Sequence, residues 1–477
     1  MKRIKHISYI GIIAIYIVHT GCKVPGIIQT GDVNRAPVAY TNSTDTSNSA
    51  AINWKEFFND KNLVALIDTA LHNNLDVLMT MQEIEIAKNN ILMREGLLHP
   101  RVSAGGGLGI DKVGRYTSTG AGDASTEITP GKIVPEHLTD ISLGFQASWE
   151  ADIWGKLRNA KKAAFVKYLA TTEGKNFVVT NLVAEIANSY YELLSLDNKL
   201  EIIRQTIQLQ QNQLEIVKIQ KQASMVTELA LKQFEAQVYK AQALEYEVLQ
   251  QITEVENRIN FLLSRYPQKI SRDTASLTTL IPNRMNAGIP SQLLKNRPDI
   301  KQAELELQVA KLDVKTAQLE FYPSLDITST LGIQAFKPGY LFRMPESLVY
   351  SLLGDLAGPV VNRRGIMAEF KTANALQISA MYNYQKSILT GFVEVSTELS
   401  NISNIEKVYA LKSKEADVLL SSVDISNDLF KSARANYLEV LTAQRDALST
   451  KLELVDVKER QFNAVINLYK SLGGGWR

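Results

Sequence analysis

The segment Leu71-His72-Asn73-Asn74-Leu75-Asp76-Val77 returns 223 positions later as Leu294-Lys295-Asn296-Arg297-Pro298-Asp299-Ile300. A fixed internal interval is the sequence signature of one structural unit that is used twice. In both copies a helix-like stretch runs to a proline, and a strand-like segment and a very long helix-like segment follow. The same interval separates three further pairs, which are Ala87 and Ala310, Pro100 and Pro323, and Gly109 and Gly332.

Four segments show the alternation of a β-strand. Apolar and polar or small residues alternate over Ile141–Glu150, which is the length of one membrane-barrel strand. Val102–Ile110 and Leu325–Ile333 alternate in the same way, and Leu348–Leu352 does so more weakly. A half-buried sheet away from the membrane shows the same period. Because four strands cannot close a barrel, a barrel built from them has to be oligomeric. Loops are predicted over Asp111–His137 and Ala335–Pro345.

Long helices follow each strand pair. Lys156–Gln222 contains 67 residues without proline, which corresponds to about 100 Å of helix. Apolar residues recur at heptad spacing, which predicts coiled-coil packing. The clearest stripe consists of Leu438, Leu441, Leu448, Leu452, Val455, Phe462, Ile466 and Tyr469, with Arg445 and Glu459 in its two polar positions. The other predicted helices are Asp60–Asn73, Asp76–Leu98, Thr227–Ser264, Gly365–Ser432 and Tyr437–Leu472.

The composition narrows the possible functions. The 52 basic and 50 acidic residues leave a net charge of +2, which gives no electrostatic footprint for nucleic acid. The chain has one cysteine, Cys22, and five scattered histidines without metal-ligand spacing. Phosphate-binding loops and nucleophile elbows are also missing from the sequence. We therefore expect no enzyme activity, no cofactor and no metal site.

The N-terminus has the pattern of an export signal. Three basic residues precede the apolar run Ile7–Val18, and small residues lead to Cys22. This pattern resembles a bacterial lipobox, although His19 stands where leucine is usual. We expect residues 1–22 to be removed and Cys22 to be lipidated as the mature N-terminus; an ordinary signal peptide is the alternative. The expected organisation continues with a linker at 23–59, the first repeat at 60–265, a second linker at 266–292 and the second repeat at 293–477.

Three motifs give the chain a family resemblance. They are PSQLLKNRPDI at Pro290–Ile300, WEADIWGKLR at Trp149–Arg158 and NYLEVLTAQR at Asn436–Arg445. With them the chain resembles the TolC-like outer membrane efflux proteins, in their OprM/NodT-type lipoprotein branch. The resemblance implies a mainly α fold with a small β part, in which long antiparallel coiled-coil helices form a helical barrel. Each protomer of a homotrimer would add four strands to a 12-stranded outer-membrane β-barrel.

The resemblance also implies where function lies. The helix breaks would be periplasmic tips at which an adaptor docks, and Leu438, Glu439 and Thr442 would form the gate. Thr442 stands where relatives carry an acid. Arg445 and Asp446 would latch neighbouring helices, although an arginine lying along the surface is the alternative, and Leu438 alternatively belongs to the core. The tip residues are Ala223, Ser224, Met225, Val226, Thr227, Ala433, Arg434, Ala435 and Asn436. The strand residues expected to face lipid are Ile141, Leu143, Phe145, Trp149 and Leu331.

The function implied is an exit duct that carries small toxic molecules or drugs out of a Gram-negative cell. Its partners would be a periplasmic membrane-fusion adaptor, an inner-membrane efflux pump of the resistance-nodulation-division type and outer-membrane lipid. It would be anchored in the outer membrane and extend into the periplasm. Two alternatives stay open, a duct for type I secretion of proteins or peptides and a periplasmic coiled-coil scaffold without a pore.

Overall fold

The computed structural model describes residues 25–27, 37, 39–40, 49, 52–273, 286–358, 363–432 and 434–477. These residues form two compact units. The first unit contains 86–168 and 306–381, and the second contains 169–305 and 382–477, each together with a stretch of N-terminal chain.

Helices dominate the described chain, and six strands interrupt them. In chain order the elements are α1 (Trp54–Phe57), α2 (Lys61–Asn73), α3 (Leu75–Gly96), β1 (Arg101–Asp111), α4 (Ser118–Asp123), β2 (Glu127–Thr129), β3 (Lys132–Ile133), β4 (Leu138–Ala151), α5 (Lys156–Gln222), α6 (Glu228–Leu262), α7 (Leu293–Asn296), α8 (Pro298–Leu319), β5 (Ser324–Ala335), β6 (Leu348–Ala357), α9 (Arg363–Lys431) and α10 (Tyr437–Ser471). Short 3-10 helices cover Pro290–Gln292 and Pro338–Tyr340.

The element predictions are largely confirmed. Helix α5 begins and ends at the predicted residues, Lys156 and Gln222. The four predicted strands are present, and β4 and β6 extend beyond their predicted ends. The prediction of a plain loop over Asp111–His137 is wrong, because this segment contains α4 and the β2–β3 hairpin. Strands of two or three residues are too short to show a period, so the sequence pattern could not reveal them.

The sheet of the first unit has the strand order β1-β4-β5-β6, and each neighbouring pair is antiparallel. The loop between β1 and β4 and the loop between β5 and β6 make these pairs hairpins. Strands β4 and β5 are distant in sequence and join the two halves of the chain through an eleven-residue ladder from Ile141–Ala335 to Ala151–Leu325. The sheet therefore takes two strands from each sequence repeat.

The start of α5 explains the motif Trp149–Arg158. Gly155 has a φ of +81°, which a residue with a side chain rarely adopts. The turn brings the Asp152 carboxylate to the helix N-terminus, where it accepts hydrogen bonds from the backbone N–H of Leu157 and of Arg158, both at 2.9 Å. The Arg158 side chain also donates to this carboxylate at 3.0 Å. The motif thus satisfies free N–H groups at the start of a 67-residue helix.

The core of the second unit is rich in stacked aromatic rings. Tyr191 of α5 stacks on Phe462 of α10 with ring centroids 4.3 Å apart, and Phe57 of α1 stacks on Tyr469 of α10 at 4.1 Å. Aromatic residues bury large areas and such pairs stabilise beyond the area buried. The α1 segment, which lies in the predicted N-terminal linker, is therefore part of this core.

The predicted apolar stripe of α10 needs a correction. Phe462, Ile466 and Tyr469 are buried as expected, but Leu438 is exposed and Leu441, Leu448, Leu452 and Val455 are only partly buried. The residues that α10 buries nearer its start are Val440, Ala447, Thr450 and Val457. A heptad pattern marks a face of a helix without naming the helix it meets. Of the first part of the predicted stripe, Leu438 is exposed, whereas Leu441, Leu452 and Val455 pack partly against the core clusters of the protomer.

Candidate functional site

One face of the four-stranded sheet is an exposed apolar surface. Phe145 on β4 lies opposite Ala104 on β1 and Leu331 on β5, and Leu331 lies opposite Tyr350 on β6. Phe145, Leu331 and Tyr350 are 59%, 53% and 79% exposed. A contiguous apolar row of this kind on an exposed sheet face suits a lipid or protein surface rather than water.

The opposite face of the same strands is mainly polar, with Val349 and Leu353 of β6 as apolar exceptions. Gln146 lies opposite Ser103 on β1 and Thr330 on β5, and Thr330 lies opposite Ser351 on β6. The strand ladder thus places the residues predicted to face lipid on one side of the sheet and these polar residues on the other. Strands β1 and β6 are the two edges of the sheet within the chain.

Glycine allows β4 and β5 to approach closely on the polar face. Gly144 lies opposite Gly332. A Cβ added to Gly144 would lie 2.6 Å from the carbonyl oxygen of Leu331, and one added to Gly332 would lie 2.5 Å from that of Leu143. Side chains at these positions would push apart the two strands that join the repeats.

Tryptophans fix the junction between the sheet and the helices. Trp149 donates from Nε1 to the carbonyl oxygen of Leu98 at 3.0 Å, and Trp154 donates to that of Pro323 at 2.8 Å. Leu98 and Pro323 both lie at the turns that lead from a helix into a strand. These two hydrogen bonds give both tryptophans a local packing role at the junction. The position of Trp149 at the lipid boundary stays a prediction.

The first predicted tip is a tight helix–turn–helix. After α5 ends, Ser224 takes a positive φ of 55°, and the Met225 N–H donates to the carbonyl oxygen of Gln220 at 2.9 Å. Thr227 then caps α6 by accepting from the Ala230 N–H at 3.2 Å. The Met225 side chain is exposed at the apex of this turn.

The second tip repeats this design. The Arg434 N–H donates to the carbonyl oxygen of Leu429 at 2.8 Å. Asn436 caps α10 by accepting from the N–H groups of Leu438 at 2.9 Å and Glu439 at 3.2 Å. Ala433, which we predicted to belong to this tip, lies outside the described residues.

A small apolar cluster connects the two tips. It consists of Val217, Phe234, Phe430 and Val440, one residue from each of α5, α6, α9 and α10. Val440 is fully buried in this cluster, whereas Leu438, two residues earlier, is 56% exposed. Leu438 therefore does not belong to the core of the single protomer.

The other predicted gate and latch residues are mostly exposed. Glu439 and Thr442 lie on the first two turns of α10 and are exposed. The Arg445 guanidinium pairs with Asp446 at 3.0 Å, on its own helix, and 59% of its side chain is exposed. The protomer thus shows Arg445 lying at the surface with an acid beside it. A latch to another helix stays a prediction that concerns the assembled protein.

A buried arginine, Arg297, is a feature whose connections the sequence did not reveal. It is 5% exposed and donates to both Asp299 oxygens, at 3.0 and 2.7 Å, and to Glu394 at 2.6 Å. Glu394 lies 97 positions away on α9, so the local motif gives no sign of it. Arg297 therefore links the start of α8 to the middle of α9.

A second buried charge lies where α10 meets α5. The Ser195 hydroxyl, fully buried, donates to the Glu459 carboxylate at 2.7 Å. Burial raises the pKa of the Glu459 carboxyl above its usual range; the hydrogen bond from Ser195 opposes this rise, and the negative charge of Glu192 adds to it. Glu459 is one of the two polar residues in the predicted stripe.

The described residues contain neither a membrane-crossing helix nor a cluster of metal-binding side chains. No helix among them is both long enough and apolar enough to cross a membrane. No group of three or more histidine, cysteine, aspartate or glutamate side chains among them is placed to hold a metal ion.

Comparison with known proteins decides the family. The model of the outer membrane efflux protein family matches residues 66–265 and 289–474. The chain belongs to this family. The family is one of transport channels, and this protein is an outer-membrane exit duct of an efflux system. The scaffold alternative is therefore wrong. Channels of this family are trimeric and work with a periplasmic adaptor and an inner-membrane pump.

The efflux duct is similar to named relatives over almost its whole length. It is 26% identical to the cation efflux system protein CusC of Escherichia coli O6:H1, covering 91% of this chain and 90% of that protein. It is 27% identical to the solvent efflux pump outer membrane protein SrpC of Pseudomonas putida, covering 88% and 87%. A membrane protein of Pseudomonas aeruginosa with a crystal structure has the same fold, with a TM-score of 0.85, 22% identity and coverage of 95% and 100%.

Proposed function

We propose that this efflux duct releases small toxic molecules and that a ring of three Leu438 side chains closes its periplasmic end. The proposed gate is supported by the exposure of Leu438, which lies on the first turn of α10 close to the fully buried Val440. Three large apolar side chains that converge in a narrow aperture exclude water and stop conduction. Glu439 follows Leu438 directly and Thr442 lies about one turn further along the same helix, and both would line the aperture next to that ring.

The experiment is conductance of purified trimers in planar bilayers. Leu438→Ser should raise single-channel conductance and sensitise cells to vancomycin, because the apolar ring is replaced by small hydroxyls. Leu452→Ala is the matched control, since Leu452 belongs to the same stripe but packs against the core of the second unit. It should weaken the helix packing without opening the tip. Unchanged conductance of an intact Leu438→Ser trimer would contradict the gate.

The proposal of small-molecule cargo rests on the relatives. One is named for cations and another for solvent at nearly equal identity. A resistance-nodulation-division pump and a periplasmic adaptor that docks at the tips would supply such cargo. Expression in a strain lacking its own ducts tests this. Restored efflux of a fluorescent dye supports small-molecule transport, and restored secretion of a type I protein substrate without dye efflux would contradict it.

Membrane attachment through Cys22 completes the proposal. Cys22 lies outside the described residues, and its support is the lipobox-like sequence that precedes it. Mass spectrometry of the mature N-terminus should find an acylated Cys22. A mature terminus elsewhere, without lipid, would contradict the anchor and leave the duct itself unaffected.

A further inference from the structure

The two long hairpins of the chain are equivalent at a spacing of 209 residues. Helices α6 and α10 both contain 35 residues and begin 209 positions apart. Burial follows the same spacing, so residues of the two hairpins can be matched one to one. Matched buried pairs are Ile186 and Val395, Leu196 and Ile405, Val238 and Ala447, Val248 and Val457, and Ile259 and Leu468.

Within one protomer the two repeats meet through α5 and α10. Ser195 bonds Glu459 at 2.7 Å, and Tyr191 stacks on Phe462 at 4.3 Å. Asn188 donates to Asn467 at 3.1 Å on one side of these contacts, and Lys199 pairs with Asp456 on the other side. These four contacts form the seam between the first and the second repeat.

A ring of three chains contains this seam three times and a related seam three times. Going round the ring, each second repeat is followed by the first repeat of the next chain. Within a chain, α5 contacts α10. Because α9 is the equivalent of α5 and α6 is the equivalent of α10, the equivalent contact joins α9 to α6 of the next chain. This reasoning rests on the trimer of the proposed duct. We propose that α9 docks on α6 of the neighbouring chain, with Asn404 opposite Gln250 and Ser400 opposite Thr253.

Two of the residue pairs assigned to this seam have matching chemistry. Gln250 and Asn404 replace Glu459 and Ser195, so that two amides face each other, and each amide can donate and accept. Thr253 and Ser400 replace Phe462 and Tyr191, so that two hydroxyl side chains take the place of two rings. Glu247, the equivalent of Asp456, comes opposite Val408, with Lys407 beside it.

Their exposure agrees with a contact made only after assembly. Gln250, Thr253, Ser400, Asn404 and Lys407 are all exposed in the protomer. Gln250 donates to Glu254 at 3.0 Å and Asn404 to Ser400 at 3.4 Å, each along its own helix. Such bonds exchange easily for bonds to a neighbouring chain. The seam between chains is therefore more polar than the aromatic seam within a chain.

Cysteine cross-linking between two chain types tests the assignment. One chain carries Gln250→Cys and the other carries Asn404→Cys with a longer tag, and both are expressed together. A short bismaleimide should give a covalent dimer of one chain of each type, and neither variant alone should give one, which also controls for Cys22. Ser195→Cys with Glu459→Cys in one chain is the matched control and should cross-link internally without dimers.

The outcomes separate this inference from the proposed duct. A trimer that is intact on a native gel but gives no mixed dimer overturns the seam. An internal cross-link in a chain carrying both Gln250→Cys and Asn404→Cys overturns it as well. Wild-type protein that forms no trimer overturns the assembly on which the seam rests.

Discussion

Arg297 donates a 2.8 Å hydrogen bond from Nη1 to the carbonyl oxygen of Ser471, the last residue of α10. Asn74, its counterpart in the first repeat, donates a 2.9 Å hydrogen bond from Nδ2 to the carbonyl oxygen of Leu262, the last residue of α6. The final carbonyl groups of a helix lack partners within the helix. Both repeats therefore close on themselves in the same way, with different side chains.

Replacing Arg297 with alanine should lower the free energy of unfolding by about 3 kcal/mol, because it leaves Asp299, Glu394 and the Ser471 carbonyl without their donor. Urea unfolding of purified protein, followed by circular dichroism, measures this. Arg204→Ala is the control. Arg204 pairs with Glu245 at 2.8 Å but is largely exposed, so its loss should cost less than about 1 kcal/mol. Equal effects would show that burial of Arg297 adds nothing.

Replacing Asn74 with alanine should cost about 1–2 kcal/mol, because the side chain also caps α3. Its Oδ1 accepts from the Asp76 N–H at 3.0 Å and the Val77 N–H at 3.1 Å. The same urea titration detects the loss. The exposed neighbour Asn73 is the matched control, and Asn73→Ala should stay within about 0.5 kcal/mol of wild type. If Asn74→Ala also stayed within about 0.5 kcal/mol of wild type, the role of Asn74 in closing the first repeat would be refuted.

Replacing Glu459 with glutamine should change the pH dependence of stability. The raised pKa means that the folded state holds this proton more tightly than the unfolded state, so stability falls as pH rises from the ordinary carboxyl value through the folded value. Glu459→Gln should be more stable than wild type at neutral pH, and the gain should vanish in acid. Melting temperatures recorded from acid to neutral pH measure it.

Glu453 on the same helix supplies a control of opposite sign. Hydrogen bonds from Lys412 and Ser449 hold the pKa of the Glu453 carboxyl below its usual range. Glu453→Gln should therefore lose stability at neutral pH, and the loss should disappear as pH falls. If the melting temperatures of the two variants changed with pH in the same way, the burial of Glu459 would have no energetic effect.

The face of the sheet can be tested with two neighbouring residues. Phe145→Arg puts a charge in the apolar row, which should cost about 2–4 kcal/mol near the centre of the membrane. Gln146→Arg puts the same charge on the polar face and should assemble as the wild type does. Yield of membrane-inserted trimer on a gel without heating is the readout. Equal yields would contradict the assignment of faces.

The sequence predicted those features that repeat along the chain. The alternation in β4 and the proline-free run of α5 show directly which residues are strand and helix, because each pattern is local. The ladder between β4 and β5, and the bond from Arg297 to Glu394, join residues far apart in the chain. A single sequence carries no mark of such pairings, and they were found only in the folded chain.

The candidate site was predicted in part for a related reason. The heptad stripe predicted Leu438 and Leu448 as packed positions of α10, but the protomer buries Val440 and Ala447 on that part of the helix. A helix in a ring has neighbours on two sides, and periodicity does not say which neighbour belongs to its own chain. The roles of Leu438, Thr442 and Arg445 therefore depend on the assembled trimer.

The unpaired edges of β1 and β6 have a consequence for biogenesis. Each edge presents N–H and C=O groups that lipid cannot solvate, and every such group left unmet in the bilayer costs several kcal/mol. A single chain, or two chains joined edge to edge, would have two unpaired strand edges in the membrane. Three chains can join edge to edge and leave none. An assembly of one or two chains in the bilayer therefore carries this energetic cost, and an assembly of three chains removes it.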